Sequence, residues 1–403
     1  MRNGWQTKSL GDICAFENGD RGENYPSRSI QTTEGVPFIN AGHLTDDGIG
    51  ISSLNYIPRE RFDLLGNGKI RSGDILFCLR GSLGKFASVG GLSEGAIASS
   101  LVIVRPGDTV LNDFILAYFE SHLCAEMISQ YKNGAAQPNL SAGSLRKFVV
   151  PVPPLPEQRR IVGILDEAFA GIATAKATAE KNLQNARALF ESHLQAVFTQ
   201  RGEGWVEKRL GDIADFKNGL NFNQSSKGQS VRVVGVGDFG RNYLVPLQEL
   251  QSVTIDDELD ESYEIREHDI LTVRSNGSKD LVGRCMLVPA INEVISYSGF
   301  VIRIRPVLSV VVPRLLLHFM KCSATRERLT REGGGTNISN INQAKLSTLS
   351  VSLPPLSSQP GLVDQLDRML HETQRLASHY QRKLAALDEL KNSLLHRAFS
   401  GEL

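Results

Sequence analysis

Trp5-Gln6-Thr7-Lys8-Ser9-Leu10-Gly11-Asp12-Ile13 stands near the start of the chain and returns as Trp205-Val206-Glu207-Lys208-Arg209-Leu210-Gly211-Asp212-Ile213. Outward from this pair, further matches follow in the same order at nearly the same spacing. Phe16-Glu17-Asn18-Gly19 answers to Phe216-Lys217-Asn218-Gly219, and Gly73-Asp74-Ile75-Leu76 to His268-Asp269-Ile270-Leu271. Leu101-Val102-Ile103-Val104-Arg105-Pro106 answers to Val301-Ile302-Arg303-Ile304-Arg305-Pro306, and Val152-Pro153-Pro154-Leu155 to Leu353-Pro354-Pro355-Leu356. Ordered matches at one spacing mark a duplicated unit, and the period is far too long for a solenoid repeat.

Each copy has two textures. Residues 1–150 and 205–350 are rich in Gly, Ser and Asn, with short β-branched runs between turns, such as Gly35–Ile39, Ile75–Phe77, Leu101–Val104, Val231–Val236, Ile270–Val273 and Val301–Ile304. These runs predict short strands. An amphipathic helix is expected near the end of each globular part, over about Asp113–Tyr131 and Pro313–Arg331.

After each Pro-Pro-Leu the pattern changes to apolar residues spaced by threes and fours. The first series is Ile161, Leu165, Ala168, Ile172, Ala175, Ala179, Ala186, Phe190 and Val197. The second is Leu366, Met369, Thr373, Leu376, Tyr380, Leu384, Leu387, Leu390 and Leu394. They predict helices over Glu157–Thr199 and about Gly361–Phe399, each about 60 Å long at roughly 1.5 Å per residue. A lone helix with one apolar stripe needs a partner, and the repeat mate is the nearest candidate.

The expected fold is therefore α+β, with two globular mixed-sheet domains joined by two long helices in an antiparallel coiled coil and a pseudo-two-fold internal repeat. Its parts are domain 1 over 1–152, helix 1 and linker over 153–204, domain 2 over 205–353 and helix 2 over 354–403.

Composition narrows the function. The 403 residues are 41% hydrophobic and 22% charged, an ordinary globular mixture. No apolar run reaches the roughly 18 residues that a membrane helix needs. The polar start predicts no signal peptide. Five scattered cysteines with no CxxC pair predict neither a disulfide framework nor a zinc site, and fit a reducing cytosol. Catalytic motifs are missing: there is no GxxxxGK[ST] phosphate cradle and no [ND]PP[FY] tetrapeptide. Glu389-x-Lys391 lies inside the second long helix and is expected to be an exposed helical charge pair. The chain thus reads as non-catalytic, with no metal site. Lys and Arg number 44 against 44 Asp and Glu, so nucleic acid would be bound at focused sites or with a more basic partner.

Polar loops recur in both copies. Arg80-Gly81-Ser82-Leu83-Gly84-Lys85 follows one strand and Arg274-Ser275-Asn276-Gly277-Ser278-Lys279 follows its counterpart. Such loops could approach a duplex and offer donors to base edges, or could be solvated hairpin turns. Arg303 to Arg331 holds seven basic residues against a single acid, Glu327, and leads into Gly333-Gly334-Gly335-Thr336-Asn337-Ile338-Ser339-Asn340. A basic helix before an amide-rich loop suits phosphate anchoring followed by base reading. The first copy places Asn133-Gly134-Ala135-Ala136-Gln137-Pro138-Asn139 there, after a helix that is not basic. Candidate DNA contacts are Arg80, Ser82, Lys85, Gln137, Asn139, Arg274, Asn276, Lys279, Arg328, Arg331, Asn337 and Asn340. Homologous domains with different loops would read different sequences.

Pro153-Pro154-Leu155-Pro156-Glu157-Gln158-Arg159-Arg160-Ile161-Val162, the long helix after it, the closing Leu394-Leu395-His396-Arg397-Ala398-Phe399-Ser400-Gly401-Glu402-Leu403 and each Trp-x-x-x-x-Leu-Gly-Asp-Ile opening resemble the specificity subunit of type I restriction-modification enzymes. The second copy departs from the pattern, with Ser357-Ser358-Gln359-Pro360 and no glutamate before its glutamine. The resemblance implies two target-recognition domains, each binding half of a split site in double-stranded DNA, with the helices fixing the gap. It implies docking of two methyltransferase subunits on those helices, for which Glu157, Gln158, Ile161, Leu165, Leu366, Leu387 and Leu394 are the candidates, and endonuclease/translocase subunits joining that core in the cytoplasm. S-adenosylmethionine and ATP would belong to the partners, so no cofactor is expected here. The rival reading is a duplicated scaffold that binds protein partners without nucleic acid.

Overall fold

Two strands that open and close each repeat lie side by side. Gln6–Ser9 pairs antiparallel with Val149–Val152, and Val206–Arg209 pairs antiparallel with Ser350–Leu353. This computed structural model describes residues 4–45, 48–134, 138–200, 202–222, 227–240, 242–331 and 340–403. The chain divides into two compact units, one of Met1–Ala179 with Arg382–Leu403 and one of Glu180–Gln381.

In the first unit an antiparallel four-stranded sheet runs in the order Cys14–Asn18, Leu101–Pro106, Ile75–Cys78, Phe86–Ser88. The central strands are buried on both faces, which is why Ile75–Cys78 and Leu101–Val104 are continuous apolar runs and not alternating ones. A smaller mixed sheet holds Val36–Ile39 antiparallel to Asn55–Ile57 and parallel to Ala96–Ile97. The second unit repeats both sheets. Its larger one is Ala214–Asn218, Val301–Pro306, Ile270–Val273 and Cys285–Leu287, and its smaller one sets Ser230–Val234 between Gln251–Thr254 and Ile295–Tyr297. The mixed pairing expected from the sequence thus belongs to the smaller sheets.

The Phe-x-Asn-Gly matches mark a close approach. A Cβ on Gly19 would meet the Ile97 and Ala98 carbonyls at 2.8 Å, and one on Gly219 would run into those of Tyr297 and Ser298. The Gly-Asp/His-Asp match marks a tight turn. Gly73 has φ +86°, and His268 takes φ 75° in its place, the one non-glycine residue with positive φ among the described residues. Each turn delivers a buried carboxylate, Asp74 or Asp269, to an arginine of the neighbouring strand. Arg105 Nε donates to Asp74 at 2.6 Å and Arg305 Nε to Asp269 at 2.7 Å.

Two sequence expectations are corrected. The single helices expected over Asp113–Tyr131 and Pro313–Arg331 are each broken into two, Asn112–Glu120 with His122–Tyr131 and Pro313–Lys321 with Ser323–Arg331. Ser121 interrupts the first and caps the second segment, its hydroxyl accepting from the Cys124 amide. The long helices run over Leu155–Thr199 and Gln359–Ser400, so each starts two residues earlier than the apolar spacing implied. Gln158 and Gln359 explain the starts. Gln158 accepts from the Leu111 amide and donates to the Thr109 and Pro153 carbonyls; Gln359 accepts from Val312 and donates to Val310 and Pro354. The glutamine thus carries the anchoring at both starts, and Ser358 stands where Glu157 does.

The long helices pair antiparallel within each unit. In the first, Lys176 meets Asp388 at 2.6 Å and Arg160 donates to the Leu403 carbonyl. Ile161, Leu165, Leu395, Ala398 and Phe399 join one core with Phe114 and Tyr118. In the second, Phe190, Leu194, Val363 and Leu366 join Leu315, Leu316 and Phe319. Not all of the second apolar series is buried, since Leu376 is 40% and Leu390 47% exposed.

Candidate nucleic-acid interface

The backbone brings two distant loops together at the end of each large sheet. In the first unit Leu79 N donates to Ser100 O and Leu140 N to Leu79 O, while Arg80 and Asn139 form an antiparallel bridge. In the second, Arg274 N donates to Phe300 O and Ile341 N to Arg274 O, while Ser275 and Asn340 form the bridge. The strand-end loops are therefore neighbours of Asn139 and Asn340, at the described ends of the amide-rich loops, in both copies.

These bonds also reset the correspondence between the loops. Arg274 stands where the first copy has the buried Leu79, and Ser275 stands where it has Arg80. Arg274 is accordingly half-buried and turned toward the Gly299 carbonyl, and its Nε has no hydrogen-bond partner among the described residues. At the far side Cys78 N donates to Lys85 O and Gly84 N to Cys78 O; Val273 N donates to Arg284 O and Gly283 N to Val273 O. Gly84 and Gly283 have φ +83° and +79°. Lys85 thus corresponds to Arg284 and not to Lys279, because the second loop is longer between the same closing bonds.

Arg80, Ser82 and Asn139 are exposed and Lys85 is half-buried. Lys279 and Asn340 are exposed, and Asn276 spends its side-chain oxygen on the Ser278 amide. Gln137 and Asn337 lie outside the described residues. Arg328 is exposed on Ser323–Arg331, and Arg331, at the helix end, has a side chain outside the description.

Much of the basic stretch is spent within the fold. Arg303 donates to Ser262 and Glu264 carbonyls, Arg305 pairs with Asp269, and Arg314 pairs with Asp367 at 2.9 Å. Lys321 donates to the Asn242 and Cys285 carbonyls and lies 4.3 Å from the Tyr243 ring centre. Arg326 donates to Val282 and Lys279 carbonyls. Five of the seven cations therefore serve the fold. Burial lowers the Lys321 ammonium to about 8, and burial, partly offset by Asp367, lowers the His318 imidazole to about 4. A neutral His318 donates from Nε2 to Asp367 at 2.9 Å.

Two neighbours of the second loop went unnoticed in the sequence. Phe300, whose carbonyl anchors Arg274, is 60% exposed, and its only signal was an aromatic ring directly before a strand. Arg284 was hidden by the loop's extra length. It donates to Asp280, Phe239 and Gly240 carbonyls and ties the loop to the domain body.

Of the residues expected to meet a partner, Gln158, Ile161, Leu165 and Leu366 turn into the chain's own cores, where another protein could reach them only by opening that core. Glu157 pairs with Arg160 at 2.8 Å, and Leu387 and Leu394 are half-buried on the second long helix. All five cysteines are buried and free. Among the described residues no group of three or more His, Cys, Asp or Glu is arranged to hold a metal ion, and no helix is long and apolar enough to cross a membrane.

The model of the type I restriction modification DNA specificity domain matches residues 2–184 and again 202–383. The chain belongs to the type I restriction-modification DNA specificity family. Relatives within the family include the StySPI specificity subunit of Salmonella potsdam, 24% identical over 100% of this chain and 90% of that protein. The EcoKI specificity subunit of Escherichia coli strain K12 is 21% identical over the same shares. A chain from a solved structure on assembly and conformational transition of the type I R-M system superposes with TM-score 0.82 at 20% identity, covering 100% of this chain and 99% of that one. The HsdS subunit from Thermoanaerobacter tengcongensis does so with TM-score 0.61 at 19% identity, covering 100% and 98%. The specificity-family fold therefore extends over the whole chain, and the double match coincides with the internal repeat.

Proposed function

We propose that this chain is the non-catalytic specificity subunit of a type I restriction-modification complex, reading a bipartite site in double-stranded DNA with one recognition domain per half-site. We take the domains as 1–152 and 205–353. The observation that carries the reading is the pair of loop junctions: both copies keep the same closing backbone bonds around Leu79 and Arg274, yet present different side chains from loops of different length. A common frame with unlike contents suits two half-sites of different sequence. Arg80, Ser82, Lys85 and Asn139 would meet one half-site, with Gln137 between them in sequence. Asn276, Lys279, Arg328 and Asn340 would meet the other, with Arg331, Asn337 and the exposed Phe300. Arg274 would act mainly by shaping its loop.

Two methyltransferase subunits would dock along the paired helices, and endonuclease/translocase subunits would join them in the cytoplasm. Leu189 and Leu390, which correspond between the helices and are 50% and 47% exposed, offer each copy an equivalent apolar contact. Methylation and ATP-driven cleavage would then reside in those partners, and a near-neutral chain would share phosphate contacts with them. Co-expression with the neighbouring methyltransferase, followed by single-molecule mapping of modified bases, should return a two-part asymmetric motif with a fixed gap. An active, intact complex that leaves no such motif would overturn the proposal in favour of a protein scaffold.

A further inference from the structure

Each recognition domain presses one helix against the start of one long helix and the end of the other. Asn112–Glu120 shares a core with Ile161 and Leu165 and with Leu395, Ala398 and Phe399. Pro313–Lys321 shares a core with Val363 and Leu366 and with Phe190 and Leu194. The long helices correspond at an offset of 201, which superposes Gln158 on Gln359, Leu165 on Leu366, Leu194 on Leu395 and Phe198 on Phe399. The apolar parts of the two seats are therefore nearly interchangeable.

The charged parts are not interchangeable. Glu120 lies 2.8 Å from Lys391, whose ammonium also lies 4.8 Å from the Phe169 ring centre. Lys176 meets Asp388 at 2.6 Å. At the same offset the first long helix carries Phe190 in place of Lys391, Glu191 in place of Asn392 and Arg187 in place of Asp388. The second domain carries Lys321 in place of Glu120, and Glu191 accepts from the Ser323 amide at 2.6 Å.

We propose that these charges select how the two halves of the chain pair, so that each recognition domain accepts the helix end of the other half and rejects the corresponding end of a second copy of its own half. Two N-terminal halves joined through the same contacts would strip Glu120 of Lys391, bring Glu191 near it and set Lys176 against Arg187. Two C-terminal halves would set Lys391 against Lys321. A two-fold pair makes every such clash twice, and rejecting the wrong partner by repulsion is as effective as attracting the right one. The apolar stripes supply association and the charges supply choice. This inference rests on the helix pairing and is independent of DNA reading.

The test keeps the full chain. A protease site placed in the 200–204 linker is cut after folding, the nicked protein is diluted until fragments exchange, and the pairs are counted by native mass spectrometry. The ratio of mixed to like pairs should exceed its statistical value by about tenfold, the sum of several like-charge contacts at a few tenths of a kcal/mol each. Glu120→Lys should remove most of that excess, and adding Lys391→Glu should not restore it, because Glu191 and Lys321 would then meet opposite charges in the like pairs. Where the single variant folds poorly, Lys391→Met, which removes the attraction without opposing it, should lower the excess by a smaller factor. A statistical mixture from the unaltered sequence, or an excess that none of these variants moves, overturns the proposal.

Discussion

The helix Asn112–Glu120 carries Asp113, Ala117 and Glu120 where Pro313–Lys321 carries Arg314, His318 and Lys321. Both helices fill the same place on their sheets and bury the same kind of apolar face. What separates them is the polar contact with the long helices. The second unit builds a network in which Arg314 and His318 both reach Asp367, whereas the first has Asp113 near Asp166, the equivalent of Asp367, around a small cavity that Glu120 also lines. A fold can thus be held by a duplicated apolar pattern while its polar seams diverge.

The largest difference should come from removing the buried carboxylates. Asp269→Ala leaves Arg305 the Glu264 carbonyl at 3.2 Å but no carboxylate, and breaking a buried pair costs about 3–5 kcal/mol. Asp74→Ala should cost less, because Arg105 also reaches Glu17 at 3.0 Å, whereas Lys217 occupies the position of Glu17 in the second copy. Hydrogen exchange of Ile75–Cys78 and Ile270–Val273, followed separately, checks the order; equal losses would break the comparison.

A pH effect should follow from His318. Unfolded histidine binds a proton near pH 6.5, but the buried imidazole binds one only near 4. Between those values the unfolded state holds more protons, so the second unit loses stability as pH falls from about 6.5 toward 4, by up to roughly 3 kcal/mol. Above pH 6.5 the contribution is constant. The helix Asn112–Glu120, with Ala117 in that place, lacks this response. Exchange rates of Pro313–Lys321 and Asn112–Glu120 at pH 7 and 5, corrected for intrinsic chemistry, should diverge, and His318→Gln should remove the divergence.

The smallest expected effect concerns reading. Arg80→Ala should alter preference at one half-site by about 1–3 kcal/mol, the range of a good base contact, and leave the other unchanged. Arg274→Ala should act instead on the stability of its loop. Competition binding of the methyltransferase complex to duplexes varied in one half-site at a time distinguishes the two outcomes.

Much of this was legible in the sequence. The repeat, the strands and both long helices were visible because Trp-Leu-Gly-Asp-Ile, the turn aspartates and the apolar spacing each answer to a local physical demand. The loop register was not, because extra residues between Arg274 and Gly283 hide the match of Lys85 with Arg284 until the closing bonds are seen. Nor could composition tell that Arg303, Lys321 and Arg326 point at carbonyls: a run of cations reports charge, not direction. Which residues of a long helix face outward was hidden for a similar reason. A single apolar stripe contains both Leu366, fully buried, and Leu390, which is 47% exposed, and periodicity alone does not separate them.

The pairing of Gln6–Ser9 with Val149–Val152, and of Val206–Arg209 with Ser350–Leu353, makes each recognition domain a loop closed at its own neck. The chain enters and leaves through adjacent strands, so everything that faces a half-site hangs between two neighbouring points of the backbone. Recombination at those two points could exchange one complete reading head for another while leaving the long helices intact. New specificities can therefore arise by cassette, without each being refined residue by residue.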